Sequence, residues 1–222
     1  MLEKIRILLP IISIIFFVIF CNKKATKELW IFFVYCLISL IVDLFLATSA
    51  WASEHRFLIW NFYGVYEIII LSYFYYLIIN QKLIKFIIVF LSFLYLLFFS
   101  VFFSKSDNNQ YNSSMAVIGS IIILLLTLFY LLYLMKPTIE PINIFTPAFL
   151  ISIALLINVS GTLFLNIIAN RLTINEMEKY WNISNYSNII MNLIFISAFV
   201  LFYFQQKSIP PENHSVDFTS PK

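Results

Sequence analysis

Seven continuous apolar stretches, most of them about twenty residues long, run through this chain. Stretches of that length match the hydrocarbon thickness of a bilayer when helical, and little else accommodates so many of them. Of the residues, 62% are hydrophobic and only 11% charged, against about 25% charged in soluble domains. Such a chain cannot cover a water-facing surface, so its outer solvent is lipid. Membrane β-barrels require short segments of alternating polarity; the runs here are unbroken. The expected fold class is therefore all-α, a polytopic membrane helix bundle of about seven transmembrane helices.

The spans read as Ile7–Cys21, Leu29–Thr48, Leu58–Ile79, Ile84–Phe103, Met115–Met135, Phe145–Ala169 and Tyr186–Phe204. The first is short enough to be a signal-peptide core, but no small-x-small cleavage pattern follows it. Phe20 before Cys21 also spoils a lipoprotein cleavage signal, so the helix is expected to be retained. Polar connections are expected at 49–57, 104–114 and 170–185, with Pro137 and Pro141 punctuating another. Residues 1–207 read as one membrane domain. Residues 208–222, with three prolines, read as a disordered tail.

Lysine and arginine in short loops set orientation. Six (Lys4, Arg6, Arg56, Lys105, Arg171, Lys179) fall on the side of the N-terminus, and eight (Lys23, Lys24, Lys27, Lys82, Lys85, Lys136, Lys207, Lys222) on the other. This bias favours the N-terminus outside and the C-terminus in the cytoplasm. The richness in Ile, Phe, Asn, Lys and Tyr suggests an AT-rich bacterial genome, hence the inner (cytoplasmic) membrane.

Composition also excludes. Only three glycines are present, so Gly-rich phosphate loops and dinucleotide fingerprints have no material. The net charge of +3 is dispersed, and no basic stripe suits nucleic acid. Cys21 and Cys36 read as two free thiols. Glu54 and His55 alone make no metal site, because zinc catalysis needs about three protein ligands. No metal and no cofactor is expected. Most tryptophans and tyrosines fit an interfacial aromatic belt.

Polar residues within the spans carry the functional reading. A charged side chain at a helix centre costs roughly 2.5–3.5 kcal/mol on insertion scales, so Asp43 and Glu67 need partners or a proton. Trp60, Tyr63 and Glu67 are spaced i, i+3, i+7, on one helix face. Cys36, Ser39 and Asp43 share a face of the second span. Ala154, Asn158, Thr162 and Asn166 recur every four residues in the sixth, with Gly161 beside them. Asn185, Asn188 and Asn192 line a face of the seventh. Such stripes mark helix–helix contacts, and the fourth span, which lacks one, is expected at the periphery. For the asparagines the expected role is interhelical hydrogen bonding. Glu67 is read as functional, and Asp43 stays open between the two. The candidate ligand-binding set is Asp43, Glu67, Tyr63, Asn158, Asn188 and Asn192, around a polar cavity in the outer half of the bundle, formed by the second, third, sixth and seventh spans.

Two stretches carry a resemblance. Asn61-Phe62-Tyr63-Gly64-Val65-Tyr66-Glu67 opens the third span. Ser160-Gly161-Thr162-Leu163-Phe164-Leu165 is followed by Trp181-Asn182-Ile183, then Asn188 and Asn192. Together they resemble a group of uncharacterised bacterial seven-helix membrane proteins of this length, which implies a seven-helix bundle and no particular activity. Some of these resemble the membrane input modules of sensor kinases, which implies signalling through a separate effector protein. Retinal-binding proteins need a lysine in the seventh helix, and none lies between Tyr186 and Phe204.

Three functions follow as expectations. The first is a sensory, regulatory or accessory membrane module that binds a small ligand or lipid. The second is an intramembrane lipid-modifying enzyme using Glu67 or Asp43 as acid or base, with Asn192 or Tyr63 as second group. The third is a small proton-coupled transporter using Glu67.

Overall fold

In lipid, a long apolar segment can satisfy its backbone hydrogen bonds alone only as a helix, and these segments are helical. The computed structural model describes residues 2–21, 25–105, 113–135, 145–168 and 174–207. Among the described residues eight helices form: α1 (Leu2–Phe20), α2 (Lys27–Thr48), α3 (Ala50–Glu54), α4 (Arg56–Ile78), α5 (Lys82–Lys105), α6 (Ser113–Leu134), α7 (Pro147–Ile168) and α8 (Ile174–Lys207). There is no strand among the described residues. The tail 208–222, Pro137, Pro141, Lys23 and Lys24 lie outside the described residues.

Six helices, α2 and α4–α8, are long and apolar enough to cross a membrane. Twenty-two residues span about 33 Å, close to the hydrocarbon thickness. The apolar part of α1, Ile7–Phe20, is shorter; Pro10 interrupts its hydrogen-bond ladder. Yet α1 packs against both α2 and α8, completing a seven-helix set.

Two connections differ from the sequence reading. The polar 49–57 segment contains α3, whose first turn is capped where Ser49 Oγ accepts from Ala52 N at 3.3 Å. The segment 170–185 was expected as a polar connection, but α8 begins at Ile174 and continues unbroken to Lys207. No glycine or proline lies in that range to stop it. At 34 residues, or about 51 Å, α8 is longer than the hydrocarbon layer requires.

Around the bundle, neighbours follow the order α1, α2, α4, α6, α7, α8 and back to α1. Helix α5 sits outside this ring, against α4 and α6. Its outer face is bare: Leu83, Phe86 and Phe93 are 72%, 68% and 58% exposed. A face that apolar suits lipid, and it matches the peripheral place expected of this span.

The two ends of the bundle are filled differently. Towards the end bearing Lys27 and Lys207, aromatic rings plug the centre. Phe17, Phe32, Phe74, Phe195 and Phe199 are all fully buried or nearly so. Phe17 stacks on Phe33 at 4.3 Å between centroids, and Phe32 meets Phe195 edge-on at 4.6 Å. Below them a hydroxyl cluster ties three helices: Tyr75 Oη lies 2.9 Å from Thr127 Oγ1 and donates to Ser152 Oγ at 3.3 Å. All three residues are fully buried, so each bond replaces water that lipid and protein exclude. Nearby, α7 starts on a matched pair, with Thr146 Oγ1 accepting from Phe149 N at 3.2 Å and Pro147 as the first helical residue.

Helices α7 and α8 approach closely at Gly161. A β-carbon there would collide with the Ser187 side chain. Gly161→Val is therefore expected to force the pair apart, at about 1–3 kcal/mol, the usual cost of overpacking. The check is thermal unfolding in detergent. Gly161→Val should melt lower than wild type, and adding Ser187→Gly should restore part of the loss. An unchanged melting temperature for Gly161→Val would contradict this close packing.

Candidate functional site

The other half of the bundle, towards the N-terminus of α1, is not plugged. A cavity of about 230 Å³ lies between α4, α5, α6, α7 and the start of α8's apolar part. Periodicity explains its walls. Trp60, Tyr63 and Glu67 share one face of α4, and all three line the cavity. Asn158, Thr162 and Asn166 recur every four residues along α7 and line the facing wall. Helix α6 contributes Gly119 and Ser120. The lining reaches from Asn61, Met115 and Asn166 near one helix end to Glu67, Ile123 and Asn158 at mid-depth.

Tyr95 enters from α5. It is buried, and β-carbons at Gly64 or Gly119 would each stand 3.5 Å from its Oη. The two glycines thus let a tyrosine from the outlying helix pass between α4 and α6 to the cavity wall.

Glu67 is half-buried and is the one charged side chain among the described lining residues; no Lys, Arg or His joins it there. Tyr35 of α2 donates to its Oε1 at 2.9 Å. Tyr63 stands beside this pair, next to the Tyr35 and Ser39 hydroxyls. Across the cavity, Asn166 Nδ2 donates to Ser120 Oγ at 3.2 Å, and Thr162 Oγ1 donates to the Asn158 carbonyl at 2.9 Å. These groups are satisfied within the bundle. Asn158 Oδ1 is the exception: it is buried and has no hydrogen-bond partner among the described residues. An acceptor stranded in this way costs about 1–3 kcal/mol unless something fills its need.

The structure divides the six sequence-level candidates. Glu67, Tyr63 and Asn158 meet in the cavity. Asp43 does not line it, although its carboxyl is close enough to influence Tyr63. Asn188 and Asn192 lie elsewhere, at the seam between α8 and α1. Asn192 Nδ2 donates to Asn188 Oδ1 and to the Asn188 carbonyl, both at 2.9 Å, while Ser13 Oγ of α1 lies 3.5 Å from Asn192 Oδ1. The cavity walls therefore come from α4–α8, and α2 contributes only from behind, through Tyr35. Sequence reasoning missed Tyr35, Tyr95, Ser120 and Gly119. One signal was available for Tyr95: it is the single tyrosine in a helix otherwise built of aliphatic residues, phenylalanine, serine and lysine.

Among the described residues no group of three or more His, Cys, Asp or Glu could hold a metal ion. The fold defines a multi-pass helical membrane protein carrying a polar cavity in one half of its bundle. No protein-family model, curated protein or solved structure matches the chain.

The position of the cavity generates a labelling pattern. Cys21 and Cys36 are both buried, so background reaction is low. In detergent, Asn61→Cys and Ser184→Cys should react with a water-soluble maleimide, while Thr127→Cys, in the buried hydroxyl cluster, should stay protected. Equal protection at all three positions would mean that water does not enter this half of the bundle.

Proposed function

We propose that this protein is a sensory or accessory membrane module that binds a small molecule in the cavity between α4, α6 and α7. The observation that carries the reading is Glu67, an intramembrane carboxyl on the wall of a polar cavity of about 230 Å³. Asn158 lines the same cavity at the same depth, and its Oδ1 has no partner among the described residues. An intramembrane carboxyl is a functional-site hypothesis by default. The membrane is the bacterial inner membrane, and the lysine bias places the cavity mouth outside and the C-terminus in the cytoplasm. Response to the ligand then passes to a separate effector protein.

A second reading, proton-coupled transport, draws on one observation. Glu67, Tyr35 and Tyr63, with Ser39 and Asp43 nearby, form a line of exchangeable groups from the cavity into the α2–α4 contact. It predicts solute uptake driven by a pH gradient in proteoliposomes, and absence of uptake removes it.

The binding reading is tested by native mass spectrometry of protein released gently from mild detergent, wild type beside Gly119→Leu. A β-carbon at Gly119 would stand 3.5 Å from Tyr95 and Ile68, both on the cavity wall, so a leucine there takes up space at the cavity. Wild type should carry a bound small molecule that Gly119→Leu loses. Bare wild-type protein, or a co-purifying protein in both samples without any small molecule, would reduce the cavity to a packing feature.

A further inference from the structure

The lining of the cavity specifies the charge of its occupant. Its charged group is an acid: Glu67 is the one charged side chain among the described lining residues, and no Lys, Arg or His stands with it there. Tyr35 engages Oε1 of Glu67, and an ionised carboxylate has a second oxygen with further lone pairs to offer. Asn158 lines the cavity at the same depth. Aromatic side chains complete the wall: Trp60, Tyr63 and Tyr95. Aromatic faces attract cations, most strongly where water is excluded.

Resting on the binding reading above, we infer that the cavity takes an organic amine in its protonated form, with the ammonium on Glu67, beside the Asn158 side chain, and the apolar body among the aromatic residues. An ammonium carries three donors and no acceptor. It would neutralise the carboxylate and keep donors for a neighbouring acceptor. A neutral alcohol offers one donor and leaves the carboxylate unbalanced. A carboxylate ligand would place like charges together in a medium that screens them poorly.

The test uses the full chain in lipid nanodiscs and a matched trio: 2-phenylethylamine, 2-phenylethanol and phenylacetate. All three are small enough for a cavity of about 230 Å³. Calorimetric titration should show the amine binding about tenfold or more tighter than the alcohol, with no binding of phenylacetate. Glu67→Gln should erase the preference of amine over alcohol. Asn158→Ala should weaken the amine while leaving the alcohol little changed, and it keeps the test open if Glu67→Gln does not fold.

An alcohol that binds as tightly as the amine, or phenylacetate binding tightest, would overturn the inference while leaving the cavity a binding site. If none of the trio binds, native mass spectrometry decides between the two claims. A co-purified amine on wild type that is lost in Glu67→Gln supports the inference. A co-purified neutral or anionic molecule overturns it and keeps the binding reading, and bare protein overturns both.

Discussion

A bilayer offers no hydrogen bonds, so every polar group that enters it must find its partner in the protein. This constraint accounts for the helices, and it also sorts the polar side chains on them. Most hydroxyls turn back on their own helix: Ser92 Oγ donates to the Ile88 carbonyl at 2.8 Å, and Ser100 to Leu96 at 2.9 Å. A smaller number join helices. The Tyr75–Thr127–Ser152 cluster links α4, α6 and α7, and the Ser13–Asn192–Asn188 group links α1 and α8. Individual bonds of this kind are worth only about 0.6 kcal/mol on average. Their placement matters more than their strength, because they fix which faces meet. Against that background two buried side-chain oxygens among the described residues have no partner, Ser72 Oγ and Asn158 Oδ1, and the second belongs to a residue that lines the cavity.

The bundle divides into a plugged half and an open half. Phe32, Phe74, Phe195 and Phe199 fill the centre near the ends of α4 and α8. Aromatic packing there is edge-to-face or offset, as ring quadrupoles prefer. Beyond mid-depth the central residues become smaller and more polar: Gly64, Gly119, Asn158 and Thr162. On α4 the change is direct, from Phe74 in the plug to Gly64 on the cavity wall. The closest helix approach, Gly161 against Ser187, lies in the open half. It holds α7 and α8 together beside the cavity, so the opening does not come from a loosened seam.

Periodicity carried the sequence reading far where a single helix was concerned. The stripes Trp60–Tyr63–Glu67 on α4 and Asn158–Thr162–Asn166 on α7 were legible, and both face the cavity. The stripe on α8 was legible as a buried face; Asn185 and Asn192 are almost fully buried. What periodicity does not contain is which helix stands opposite. Asn188 and Asn192 meet α1, a pairing that depends on α8 closing the ring against the first helix. For the same reason Tyr35 was invisible as the partner of Glu67: its position on α2 has no special pattern, and only the packing of α2 on α4 brings them together. Tyr95 required two coincidences, a lone tyrosine on α5 and glycines on both flanking helices. The polarity of 170–185 reads as a connection, yet α8 begins at Ile174. Outside the hydrocarbon a polar helix is free to continue until something breaks it.

The polarity of the cavity bears on why it exists at all. Voids in tightly packed interiors are costly, and apolar voids of this kind stay dry. A volume of about 230 Å³ has room for several waters. Waters could satisfy Asn158 and hydrate Glu67, so hydration alone would explain a polar lining. Hydration leaves one feature of that lining unanswered. Its charged group is an acid, Glu67, with Trp60, Tyr63 and Tyr95 around it and no cationic side chain among the described lining residues. A carboxylate in a medium of low dielectric is stabilised by a proton or by a counter-charge. A cationic occupant supplies the counter-charge, and aromatic faces favour the same kind of ligand.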